Sequence, residues 1–102
     1  TYARLLTMKG QPGRKEEAID IIDEFGKQPV EGFEGMLTLL PTDDPDRVTI
    51  ISLWDSEQSM LNSQRNVVPR VSKLLGDLVI GKAEIHSHQV REMRTQKKLV
   101  HA

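Results

Sequence analysis

Asp46-Arg-Val-Thr-Ile-Ile-Ser-Leu-Trp-Asp-Ser-Glu-Gln-Ser-Met60 is the stretch whose reading decides the fold. From Val48 to Trp54 it is β-branched, aliphatic and aromatic with a single serine, the composition of a strand that is apolar on both faces. Asp55-Ser56 then offers two helix-capping side chains, and Gln58, three residues after Asp55, has the spacing of a capping box. A buried strand thus delivers the only tryptophan of the chain to the mouth of a helix. An aromatic side chain so placed either lines a ligand pocket or plugs a core.

On the N-terminal side of this strand, Gly32 to Leu40 reads as a second strand, with Phe33, Leu37 and Leu39 alternating with Glu34, Met36, Thr38 and Leu40. The Pro/Asp-rich segment Pro41 to Arg47 turns the chain back as a hairpin loop. Further upstream, Tyr2 to Lys9 is an expected first strand closed by the turn chemistry of Gly10-Gln-Pro-Gly13. Arg4 is its odd member, a charge among apolar neighbours that suits either a sheet rim or a pocket cation. Ala18, Ile21, Ile22 and Phe25, at i, i+3, i+4 and i+7, predict an amphipathic helix from about Arg14 to Gln28. Glu16 and Glu17 suit the dipole of its first turn, and Gly26 and Pro29 end it.

Downstream, a helix is expected from Ser56 to about Asn66. Pro69, which belongs at the start of a helix and not in its interior, begins a second segment running to Leu75 and ending at Gly76. Gly81 opens an expected last strand, Lys82 to about Arg91. A domain over residues 1–94 is expected, followed by a basic tail at 95–102; Arg94, Lys97 and Lys98, around and beyond that boundary, show no periodicity.

With 102 residues the chain is the size of one domain. Fourteen basic residues against fifteen acidic ones give a net charge of −1 and no general attraction for nucleic acid. The absence of cysteine excludes disulfides, thiol catalysis and thiolate metal sites. No apolar run reaches the roughly 18–20 residues of a membrane span, and the start Thr-Tyr-Ala-Arg lacks a signal-peptide pattern, so a cytoplasmic protein is expected.

Strand, helix, strand, strand, helix, strand, with right-handed crossovers, is the order of a ferredoxin-like βαββαβ fold. It predicts a four-stranded antiparallel sheet with its helices on one face. A second face bathed in water would alternate between apolar and polar residues. Instead Met36 and Leu37, Leu39 and Leu40, and Ile50 and Ile51 put apolar side chains on both faces. No helix is left over to cover the second face, so a second copy is expected to do so, sheet against sheet, in a closed homodimer.

Three segments carry a family resemblance: Lys9-Gly-Gln-Pro-Gly-Arg-Lys after the first strand, Glu31-Gly-Phe-Glu-Gly before the second, and Val48 to Ser59 with its Trp-acid-Ser-Glu ending. Over Tyr2 to Arg91 the chain resembles the dimeric α+β barrel superfamily, in particular its antibiotic biosynthesis monooxygenase (ABM) domains. In their quinone-forming members, the resemblance implies oxidation of a bound aromatic compound by O₂ without metal or flavin, once the substrate's phenol is deprotonated. The protein then binds a flat apolar substrate, stabilises a phenolate and excludes water. Trp54 matches the strand-end tryptophan of those enzymes. Their asparagine four residues before it corresponds to Ile50, and their tyrosine six residues after it to Met60, so two polar pocket positions are apolar here.

The candidate lining for a small apolar or aromatic ligand is Leu6, Met8, Phe33, Trp54, Met60 and Val71. Arg4, Asn62 and Arg70 are candidates for its polar contacts, with Arg65 and Asn66 as further possibilities. His86-Ser-His88 places two imidazoles on one strand face together with Glu84. They suit the polar outer face of an edge strand or, turned to the pocket, a general base. Trp54, Arg4, His86 and His88 are therefore the candidate catalytic residues. No metal site and no cofactor are expected. Haem-degrading relatives place a histidine ligand about nineteen residues beyond the strand-end tryptophan, where this chain has Val71-Ser-Lys-Leu-Leu, so haem degradation is not expected. The leading expectation is a cofactor-independent monooxygenase of a small aromatic or quinol-type compound. Its rival is a non-catalytic ligand-binding or structural protein on the same fold.

Overall fold

The computed structural model describes residues 1–96; Lys97, Lys98 and His101 of the expected tail lie outside them. The elements are β1 (Tyr2–Gly10), α1 (Lys15–Gly26), β2 (Phe33–Leu39), β3 (Arg47–Trp54), α2 (Glu57–Asn66), α3 (Val68–Leu75), a 3₁₀ turn (Gly76–Leu78) and β4 (Val79–Gln89). The four strands form one antiparallel sheet in the order β2-β3-β1-β4, the ferredoxin-like arrangement.

Register decides which side chains meet. Met8 pairs with Val48, Leu6 with Ile50, Arg4 with Ser52 and Tyr2 with Trp54. Directly opposed residues share a face, so these eight point to the helices. Met8, Val48 and Ile50 join Ala18 and Ile22 of α1 with Leu75 and Leu78 in the core. The intervening residues, Leu5, Ile51 and Leu53, point to the other face, where the Thr7 and Thr49 hydroxyls lie 3.3 Å apart.

Two irregularities correct the expected alternation. Phe33 pairs with Trp54 but Gly35 pairs with Leu53, so β2 carries one extra residue at Glu34. The bulge puts Phe33 on the helix face with Met36, while Leu37 and Leu39 point to the opposite face. In β4, Gly81 does not open the strand. The strand starts at Val79, and Gly81 sits inside it at φ +70, where pairing shifts between Ile80–Lys9 and Glu84–Thr7.

The helix after Trp54 is capped by Ser56, whose Oγ accepts the Ser59 N–H at 3.1 Å. Because the helix begins at Glu57, Ser59 and not Gln58 is the third helical residue. The Asp55–Gln58 capping box does not form, and the Gln58 amide donates instead to Asn62 at 2.9 Å. In the β2–β3 loop, Arg47 and then the Asp46 N–H donate to the Asp44 carboxylate, which holds its pKa below the ordinary value.

The face away from the helices is apolar and open: Leu37 is 48% and Leu39 42% exposed, beside Ile51, Leu53 and Ile80. Among the described residues no helix is long and apolar enough to cross a membrane.

Gly32 fastens β2 to the start of α2. Its carbonyl accepts the Asp55 N–H at 2.9 Å, its φ is +79, and a Cβ added to it would sit 2.3 Å from Ser59 Cβ. Left-handed backbone costs a non-glycine residue about 1–2 kcal/mol, and overpacking adds about 1–3. Gly32→Ala is therefore expected to lose roughly 2–4 kcal/mol in urea unfolding; a loss below about 0.5 kcal/mol would show that this approach is not tight.

Candidate functional site

Between the helix face of the sheet and the three helices lies a cavity of about 430 Å³. Its walls are overwhelmingly apolar: Leu6, Met8 and Ile50 from the central strands, Phe33 and Met36 from β2, Ile22 and Phe25 from α1, Val67, Val71 and Leu75 from the α2–α3 segment, and Ile85 from β4. Its exposed lining residues, Ser72, Gly76, Gly81, Lys82 and Ala83, all belong to α3, the turn after it and β4, so this side opens to solvent.

The buried polar groups gather at the Trp54 end. Arg4 is 8% exposed, and among the described residues no carboxylate pairs with it. Its guanidinium lies 5.2 Å from the Trp54 ring centre and donates to the Met60 carbonyl and to Ser63 Oγ, both at 3.3 Å. Burial pushes its pKa down, yet a guanidinium keeps its proton in a folded protein. The Trp54 indole N–H donates to Ser52 Oγ at 2.9 Å, and its ring meets Phe33 in a tilted contact with centres 5.3 Å apart. Ser52 and Ser63 are both buried and both line the cavity, and each hydroxyl is used there as an acceptor. What remains to face a ligand is dominated by donors: further guanidinium N–H groups and two hydroxyls that still have a proton to donate.

Of the residues named from sequence, Arg4, Leu6, Met8, Phe33, Trp54 and Val71 line this cavity. Others do not. Met60 is 1% exposed and closed off in the packing beneath α2, contributing its backbone carbonyl to Arg4. Asn62 lies on the outer face of α2, bonded to Gln58. Arg70 is exposed and covers Phe25 from outside, 5.6 Å from its ring centre. His86 and His88 pair with Leu5 and Ala3, which puts both imidazoles on the open sheet face, across the sheet from Arg4 and Trp54. Ser52 and Ser63 were missed. Their signal was a serine two residues before the tryptophan on its strand face, and another three residues after Met60 on the inward stripe of α2.

No curated protein matches the chain. The family model for antibiotic biosynthesis monooxygenases matches residues 1–67. The chain belongs to the ABM family. Its fold is shared by solved structures at low identity. A candidate ABM protein from Chloroflexus aurantiacus is 24% identical, with 91% of this chain and 96% of that one covered and a TM-score of 0.72. A second, from Deinococcus radiodurans, is 14% identical with 96% and 100% covered and a TM-score of 0.77. The haem degrader MhuD from Mycobacterium tuberculosis, with two haems bound in its active site, is 15% identical with 93% and 100% covered and a TM-score of 0.72. The ABM match includes Arg4, Ser52, Trp54 and Ser63, while α3 and β4, which form the open side of the cavity, lie beyond it.

A buried cation without an anion is costly to a folded chain, and an apolar replacement removes that cost. Arg4→Met is expected to leave the ligand-free protein equally stable or up to about 2 kcal/mol more stable in urea unfolding. A loss of about 2 kcal/mol would instead make Arg4 a fastener between β1 and α2 through Met60 and Ser63.

Proposed function

We propose that this ABM-family chain is a cofactor-independent monooxygenase that oxidises a small aromatic or quinol-type compound in the cavity between sheet and helices. The observation that carries the reading is the cavity itself, an apolar chamber walled by Phe33 and Trp54 with all its buried polar groups at one end. Such a site orients a flat apolar molecule and holds a negative oxygen at a defined place.

In the proposed reaction, loss of a proton leaves the bound aromatic compound as an anion delocalised between oxygen and a ring carbon. That carbon gives an electron pair to O₂, forming a C–O bond. The peroxide takes up a proton, and loss of water with cleavage of the O–O bond leaves a carbonyl. The electrons come from the substrate, and the protein's part is to bind, hold the charge and keep water out. Among the described residues no His, Asp, Glu, Tyr or Cys lines the cavity, and the one amine of the lining, Lys82, stands on its open side, so no general base lies beside the buried polar groups at the Trp54 end. The lining also lacks an imidazole for a haem: the segment where haem-degrading relatives place a histidine is α3, which turns Val71 and Leu75 toward the cavity.

The same proposal includes a homodimer in a cytoplasmic setting. Its support is the open sheet face, where Leu37, Leu39, Ile51, Leu53 and Ile80 form an apolar surface that a second copy would bury. His86 and His88 belong to this surface. Leu37→Asp with Leu39→Asp is expected to convert the protein to a folded monomer in sedimentation, whereas an unchanged dimer would place the interface elsewhere.

The enzymatic claim is tested by oxygen uptake with phenols, hydroquinones and anthrone-like compounds. Uptake above background is expected, and Trp54→Phe, which shortens the cavity wall, should lower kcat/KM roughly tenfold. If a folded protein consumes none of these compounds, the non-catalytic ligand-binding reading takes its place.

A further inference from the structure

The cationic, donor-rich end of the cavity says what kind of molecule belongs in it. Arg4 is nine-tenths buried, faces the cavity, and has no carboxylate partner among the described residues. Its contacts with the Met60 carbonyl and Ser63 Oγ are long, at 3.3 Å, and neither partner carries charge. The Trp54 ring supports one side of the guanidinium without neutralising it. A guanidinium has five N–H donors and no acceptor, so those not engaged here remain to be satisfied. Ser52 Oγ and Ser63 Oγ each accept one hydrogen bond, from Trp54 and Arg4, and each hydroxyl still has its proton to donate. Three side chains from β1, β3 and α2 thus bring one cation and two hydroxyl donors to one end of an apolar chamber. A neutral apolar ligand would leave this cation as costly as it is in the empty protein. A cationic ligand would be repelled. A monoanion would supply the missing charge.

We propose that the cavity selects amphipathic monoanions, holding a single oxyanion, whether carboxylate or ring oxyanion, against Arg4, Ser52 and Ser63, with the flat apolar body along Leu6, Ile50 and Phe33. The inference rests on the cavity being the ligand site. It makes Arg4 the residue that determines charge specificity. Because no carboxylate, imidazole or phenol lines the cavity among the described residues and Lys82 stands on its open side, the ligand arrives already ionised or loses its proton to water, and its acidity is strengthened by the guanidinium.

Two pairs of probes with matched bodies test this by calorimetric titration: 2-naphthoate against 2-naphthamide, and 4-nitrophenol against 4-nitroanisole. The wild type is expected to bind at least one anion roughly tenfold or more tighter than its neutral counterpart, as a charge-assisted hydrogen bond implies. The pair that shows the preference identifies the source of the oxyanion. For nitrophenol, the bound pKa should fall by about one unit or more, so affinity rises with pH between the bound and the free pKa and levels off above the latter. Arg4→Met should bring the anion-to-neutral ratio close to one while neutral-probe binding persists. Arg4→Lys, which retains the charge without the fork, should keep part of the preference and serves if the methionine variant does not fold. Neutral probes bound as tightly as anions in the wild type, or a ratio unchanged in Arg4→Met, would overturn the charge selection and leave the aromatic cavity standing. Failure of all four probes to bind would overturn both.

Discussion

The two-residue period of the paired central strands is the constraint on which the rest depends. Once Leu6 faces Ile50 and Arg4 faces Ser52, every second residue of β1 and β3 is committed to the helices, and the residues between them to the open face. A slip of one residue would exchange the two sets of the strand that slipped: in β1 it would bring Leu5 into the cavity and turn Arg4 out, and in β3 it would bring in Ile51 and Leu53 and turn Trp54 out. The cavity and the apolar outer surface are therefore two consequences of one register. Gly32 and the β2 bulge extend that register to the third strand, turning Phe33 inward against Trp54.

Within this frame, Arg4 is where folding and function pull apart. The chain could have closed its sheet and helices over an apolar residue at this position more cheaply. It retains a buried cation whose best partners are a backbone carbonyl, a serine and an aromatic face. Residues that break a local rule without an evident stabilising gain are the ones to read as functional. For the proposed ligand, the apolar walls would supply affinity, and this single end orientation and charge. That division suits a reaction in which substrate electrons pass to O₂ and the protein stabilises the anion that releases them.

Much of this was legible in the sequence because it rests on periodicity. The order of elements and the sheet follow from alternation, from helical spacing in Ala18, Ile22 and Phe25, and from glycine and proline at the turns, while the ABM resemblance rests on the residues of Lys9 to Lys15, Glu31 to Gly35 and Val48 to Ser59. The bulges were not legible. Glu34 and Gly81 each shift the register without leaving a pattern that alternation reveals, so alternation alone puts Phe33 on the face of Leu37 and opens β4 at Lys82. Site membership depends on distance across elements, which spacing along one element does not give. Arg4 and Trp54 stood out because each is unusual in its own strand. Ser52 and Ser63 did not, since a serine announces itself only by what it touches. Asn62 and Arg70 lie near the site in sequence but on outward faces, and His86 and His88 fall on the other side of the sheet by the parity of the β1–β4 register.

If the proposal holds, an aromatic anion sits in the chamber between sheet and helices with its charge on Arg4. A crystal structure of the complex with 2-naphthoate tests it most directly. The naphthalene ring is expected beside Phe33 and Trp54, with a carboxylate oxygen within hydrogen-bonding distance of the Arg4 guanidinium. A ligand lying on the open face beside His86 and His88, or in the chamber with its carboxylate turned toward Lys82 and solvent, would contradict it.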